Sequence, residues 1–392
     1  MTNALFGGAI LWISMAGNAH SQEARPWQLD AKLDELPVVE ELPDLMRFAD
    51  GRLVEDHEQW AERRVELKLL LQHFVYGYLP DKQPKVMITE VVEKQLPDVR
   101  AHETRATLVI GSEPELRMRI AIYKPDRSGP LPVIIREEHA LGHLQEVPKI
   151  VDRGYLFVEF AREDLDPDKS DIVGPAEQAY PDADWATLAI WAWGAMRVVD
   201  YLQTREDVDQ EKIAIVGHSR GGKMALIAGA LDERFTLVVA NGSGCGGAGC
   251  FRSQPEGVET LDLITQPERF GYWFHPRLRQ FVGREKQLPV DHHSLKALVA
   301  PRALICTDAR GDLWANPAGN VKTSRAADPL FKWLGAEDNN ALHFRDGNHD
   351  LLEEDWDAIL DFADWRFDGK EPVRPQRFFS HREERNAQDI DE

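Results

Sequence analysis

The 392-residue chain is poor in cysteine, with 3, has no excess of basic residues, and has no long apolar run beyond its N-terminal segment. Each scarcity excludes something. Cys245, Cys250 and Cys306 are too few for a disulfide framework. Cys245 and Cys250 share one glycine-rich loop, where they could pair or stay as small buried thiols. No C-x-x-C or H-E-x-x-H pattern occurs, so the sequence gives no support for a metal centre, and no cofactor is expected. The 46 Lys and Arg stand against 67 Asp and Glu, a net charge of −21. So acidic a surface repels phosphate backbones and anionic lipid, which argues against nucleic acid and membrane partners. A transmembrane helix needs about 20 consecutive apolar residues, and none is expected here.

What is present suits a large globular domain: 43% hydrophobic residues, with 11 Trp and 16 Phe to fill a core. The start, MTNALFGGAILWISMAGNAHSQ, has an apolar core from Ala4 to Ala16 and then Gly17-Asn18-Ala19. That ending predicts a secretory signal over residues 1–19, although no Lys or Arg precedes the apolar core. A periplasmic or secreted protein would follow. Residues 20–371 read as one catalytic domain with a wrapping N-terminal segment, and 372–392 as a charged tail. KVMITEVVEKQ, ETRATLVIG and LRMRIAIYKP alternate and predict opening antiparallel strands. PLPVIIREE, GYLFVEFA, IAIVG, TLVVAN and PRALICTDA follow, separated by helical stretches such as WATLAIWAWGAMRVVDYLQT. Hairpins first and β-α-β alternation afterwards predict an α/β fold, a mixed, mostly parallel central sheet with helices on both faces.

One stretch carries chemistry. In IAIVGHSRGGKMALIAGAL an apolar strand turns sharply into a helix, and GHSRG fits G-x-S-x-G through Gly217, Ser219 and Gly221. This is the pattern of a nucleophile elbow, which predicts an α/β-hydrolase fold with an exposed serine hydroxyl at the helix N-terminus. A serine is a poor nucleophile at neutral pH without a base, itself oriented by an acid. In α/β-hydrolase order the acid and then the histidine follow the serine. ALICTDARGDLW offers Asp312, with Asp308 as the fallback, and RDGNHDLLEEDW offers His349. His218 adjoins the serine and is expected to point elsewhere, and His292 and His293 to be structural.

Several motifs in one order resemble a known family: GHSRGGK at 217–223, SGCGGAG at 243–249, LPVDHHSLKALVAPRAL at 288–304, DLWANP at 312–317 and GNHDLLEEDW at 347–356. Together, from Tyr76 to Trp365, they resemble the glucuronoyl esterases of carbohydrate esterase family fifteen, particularly bacterial members. The resemblance implies an α/β-hydrolase that cleaves esters between the uronic acid carboxyl of glucuronoxylan and lignin alcohols, without a metal. It implies that Arg220 helps hold the oxyanion, through backbone N–H and side chain, and that Lys223, Glu259 and Trp314 meet the sugar. A monomer acting on a polysaccharide or small carbohydrate ester is expected.

The chain also departs from the family pattern. Many members carry the acid as a glutamate just before the SGxGG loop, where Asn241-Gly242 stands here; Asp312 matches the position other bacterial members use. Asn316 replaces that motif's second aspartate, Gly222 replaces an apolar residue, and REEHALGH replaces a more neutral loop. The residues alone leave room for an esterase of acetyl or feruloyl groups on xylan. A non-catalytic carbohydrate-binding relative fits poorly with the complete set Ser219, Asp312 and His349.

Overall fold

The computed structural model describes residue 29 and residues 32–382, except positions 82, 97, 143 and 144. The predicted signal, residues 1–19, lies outside the described residues. Nine strands form one sheet in the order β1-β2-β3-β5-β4-β6-β7-β8-β9. β1 (Val86–Leu96), β2 (Ala101–Ile110) and β3 (Leu116–Pro125) form an antiparallel meander. β3 also pairs antiparallel with β5 (Leu156–Ala161). The remaining neighbours are all parallel: β5 with β4 (Leu131–Glu138), then β6 (Val208–His218), β7 (Leu237–Asn241), β8 (Ala303–Ala309) and β9 (Asn340–Arg345). This is the mixed, mostly parallel sheet expected of an α/β-hydrolase.

Strand side chains alternate between two separate apolar cores, one on each face of the sheet. Val133, Ile135, Ile213, Ile215, Leu304 and Cys306 enter one core. Their neighbours Ile134, Ala214, Val216, Ala303 and Ile305 enter the other. Both faces being covered explains why the parallel strands read as continuous apolar runs. The first core is closed by helices His57–Leu71, Thr187–Leu202, Arg220–Leu231, His292–Val299 and Pro317–Trp333, the second mainly by Glu353–Asp368. Every residue of Thr187–Leu202 except Asp200 is buried, so this apolar helix lies inside the protein. Leu36, Leu45, Phe48 and Val54 of the wrapping N-terminal segment bury into the same core.

One reading changes, and one left open is decided. Composition sets residues 372–392 apart as a tail, yet Phe378 and His381 are buried and Phe379 bridges to Leu342 of β9. Aromatic burial outweighs the surrounding charge, and chain packing continues at least to residue 382. Cys245 and Cys250, left open between pairing and free thiols, are both free and buried, as is Cys306.

Candidate active site

Parallel strands all deliver their C-terminal ends to one edge of the sheet, and the chemistry-bearing residues gather there. β6 ends at His218, Ser219 makes the turn, and the helix Arg220–Leu231 starts at once. Ser219 has φ 56° and ψ −120°, a backbone geometry that costs energy in any non-glycine residue. Its N–H donates to the Asn241 carbonyl at 2.8 Å, which helps hold the turn. Gly217 is sterically required by the backbone, and Gly221 leaves room for the Glu137 carboxylate. A β-carbon on Gly217 would stand 2.0 Å from the Gly221 carbonyl oxygen, and one on Gly221 would stand 1.7 Å from Glu137 Oε1.

His349 Nε2 lies 2.9 Å from Ser219 Oγ, and His349 Nδ1 lies 2.6 Å from Asp312 Oδ2. Of the two sequence candidates for the acid, Asp312 therefore reaches the imidazole. Asp308 is fully buried, accepts from Asn320 Nδ2 at 2.5 Å, and is pushed up to about 7 chiefly by burial, with the Asp312 charge adding. The loop bearing His349 is clamped from below. Arg345 donates to the carbonyls of Asp346, Asn348 and Asp350 and pairs with Asp355, both side chains wholly buried. Gly242 has φ +51°, and a β-carbon there would come 3.4 Å from His349 Nδ1 and 3.5 Å from Asp312 Oδ2. Those are ordinary van der Waals distances, so it is the left-handed backbone at 242, rather than space beside the Asp312–His349 contact, that favours glycine.

His218 does not point elsewhere, as the sequence suggested. Its ring centroid is 4.8 Å from that of His349, and it faces the same cavity. Its Nδ1 is 2.5 Å from Asn241 Oδ1, and burial brings it down to about 4, so it is neutral above that pH. His292 and His293 are buried in the helix His292–Val299, away from Ser219's hydrogen bonds, in keeping with a structural place.

The Arg220 guanidinium is not free. It pairs with Asp168 and lies 5.0 Å over the Trp273 ring. Asp168 Oδ1 accepts from Tyr272 Oη at 2.7 Å and from Trp273 Nε1 at 2.8 Å. Burial alone would raise this carboxyl, but those two donors and the Arg220 charge bring it below the usual range. Lys223 and Glu259 are also brought together, with Nζ–Oε2 at 2.6 Å, and both are almost fully buried. Lys223 Nζ donates as well to the Ser243 carbonyl at 2.6 Å, and Cys245 N–H donates to Glu259 Oε2 at 3.1 Å. Trp314 adjoins them, its carbonyl accepting from Glu259 N–H at 2.9 Å, and Arg269 lies 5.1 Å over its ring. Sequence reasoning missed Asp168, Tyr272, Trp273 and Arg345. FAREDLDPD and GYW carry no motif, and only the fold brings them to Arg220.

The family described as "Glucuronyl esterase, fungi" matches residues 109–335. This chain belongs to the glucuronyl esterase family. It is a carboxylic ester hydrolase. Among relatives, "Carbohydrate esterase MZ0003" from an unknown prokaryotic organism is 29% identical, covering 84% of this chain and 90% of its own length. The "4-O-methyl-glucuronoyl methylesterase" of Podospora anserina is 29% identical over 77% of this chain, a match spanning 62% of that protein. Among solved structures, a carbohydrate esterase family 15 glucuronoyl esterase from Caldicellulosiruptor kristjansonii is 31% identical with a TM-score of 0.75, covering 89% of this chain and 95% of that one. No helix among the described residues is long and apolar enough to cross a membrane.

Proposed function

We propose that this glucuronyl esterase hydrolyses esters of a uronic acid carboxyl, 4-O-methyl-glucuronoyl esters foremost, on a carbohydrate substrate. The reading is carried by one observation, the hydrogen-bonded chain Ser219–His349–Asp312 at a strained strand-to-helix turn. Ser219 Oγ attacks the ester carbonyl while His349 Nε2 takes its proton, and Asp312 orients the ring and stabilises the imidazolium. The tetrahedral oxyanion sits against the Arg220 N–H, which heads its helix and has no intrahelical acceptor. The Arg220 guanidinium, tethered by Asp168, adds positive charge beside it. His349 then gives its proton to the departing alcohol, leaving a uronoyl-enzyme. Water, deprotonated by the same imidazole, attacks that ester and releases the uronate.

The acyl half lies toward Glu259 and Trp314. Lys223 orients Glu259, and its third N–H remains for a sugar hydroxyl. The enzyme acts as an exported monomer; the apolar core from Ala4 to Ala16 supports export. Hydrolysis of methyl glucuronate, followed by acid release, tests the reading. Wild type turns over and Ser219→Ala, folded by circular dichroism, loses roughly a thousandfold or more. A Ser219→Ala protein retaining most activity would sink the covalent mechanism.

A further inference from the structure

The departure at Arg136-Glu137-Glu138-His139 sits at the reaction centre. β4 ends at Glu138 with His139 directly after it, and the four residues open onto a cavity of about 560 Å³ that also holds Ser219 and His349. Eleven of its twelve lining residues are ionisable, the exception being Ser219, and none carries an aliphatic, phenyl or indole side chain. Lys223, Glu259 and Trp314 are absent from its wall.

We propose that this cavity receives the alcohol half of the ester, and that its walls select a hydroxyl-rich alcohol, a polyol or sugar, over an aryl alcohol. The proposal rests on the reading of Ser219 and His349 as nucleophile and base. The departing oxygen must come within reach of His349 Nε2, and His349 lines this cavity, while in that reading the acyl sugar lies toward Glu259, which is absent from its wall. So the alcohol projects among Glu138, Glu163, Lys169 and His139. Glu138 spends one oxygen on Arg136 at 2.9 Å, and its side chain keeps 20% of its exposure. His139 and Lys169 stand exposed at the mouth. An aromatic ring entering here strips water from charged groups and returns no hydrogen bond, and it finds no apolar wall to bury against. A hydroxyl both donates and accepts, so a polyol replaces the displaced water on carboxylates and ammonium alike.

The test compares methyl, benzyl and 1-glyceryl esters of glucuronic acid. Each kcat/KM is divided by that ester's hydroxide rate constant to remove leaving-group reactivity. Wild type is expected to favour the glyceryl over the benzyl ester by about fivefold or more. Glu138→Leu is expected to move that ratio about fivefold toward benzyl, by trading a hydrogen-bonding wall for an apolar one. A wild-type ratio of one or below, favouring benzyl, overturns the proposal without needing any variant. An unchanged ratio in folded Glu138→Leu overturns it as well. Failure to cleave any of the three, methyl included, would instead defeat the uronate esterase reading itself.

Discussion

Replacing Asp312 by Asn removes one charge while keeping size and shape, at the carboxylate that hydrogen-bonds His349. Asp312 is 4% exposed, and its Oδ1 accepts from Ala315 N–H at 3.2 Å while Oδ2 faces His349 Nδ1 at 2.6 Å. Two losses combine. The imidazolium formed on attack loses a charge-assisted partner, a hydrogen bond to a charged group being worth about 1.5–3 kcal/mol. An amide NH₂ turned toward Nδ1 would also force the proton onto Nε2, which then cannot accept from Ser219 Oγ. Together these should cost about 4–5 kcal/mol, a thousandfold or more in kcat, as removing the charge does in serine triads generally. Asp308→Asn should lose less than about threefold, because Asp308 bonds Asn320 and does not reach the imidazole. The assay is kcat on methyl glucuronate across pH 5–9 for both variants, with folding checked by circular dichroism. Asp308→Asn losing more than Asp312→Asn, or Asp312→Asn keeping a tenth of wild-type kcat, would refute the reasoning.

If Asp168 acts through Arg220, Asp168→Asn lowers kcat for every ester in wild type and changes little in an Arg220→Ala background; equal effects in both backgrounds would break that link. Lys223→Ala leaves Glu259 buried without its cation, so it should destabilise by about 3–5 kcal/mol in urea unfolding, and the Lys223→Met/Glu259→Gln pair should recover much of it. The same Lys223→Ala should raise KM for uronate esters while sparing p-nitrophenyl acetate, a split read by steady-state kinetics. Asp308, raised to about 7, holds a proton that the unfolded chain has lost above about pH 4, so its contribution to stability falls as pH rises through that window and is level above it. Asp308→Asn, which keeps an acceptor for Asn320, should therefore gain in Tm over wild type between pH 4 and pH 8; a constant difference would contradict the raised value. His218 is neutral above about pH 4, so His218→Gln should move no limb of the kcat/KM profile above pH 5.

Strand-length runs, their alternation and the elbow glycines are local properties, so eight of the strand segments, the parallel half of the sheet and the position of Ser219 could be read from the chain. The order of Ser219, Asp312 and His349 was legible for the same reason. Each lies just beyond an apolar strand, and parallel strands bring all such ends to one edge. What a side chain meets across that edge is not a local property. Arg220 gave no sign of its pairing with Asp168 in the loop after β5, nor Lys223 that it is sealed against Glu259 rather than solvated. Charge pattern failed at the C-terminus, where Phe378 finds an apolar face that only the assembled sheet and the helix Glu353–Asp368 create. The sequence by itself determined the strand and helix periods, the elbow and the triad's residue types, because these depend on neighbours along the chain. Tertiary structure alone decided that Asp308 is spent on Asn320, leaving Asp312 to meet His349, and that REEH lines the cavity holding Ser219 and His349. Those facts are distances between segments far apart in sequence, fixed only when β4, β6, β8 and β9 lie side by side.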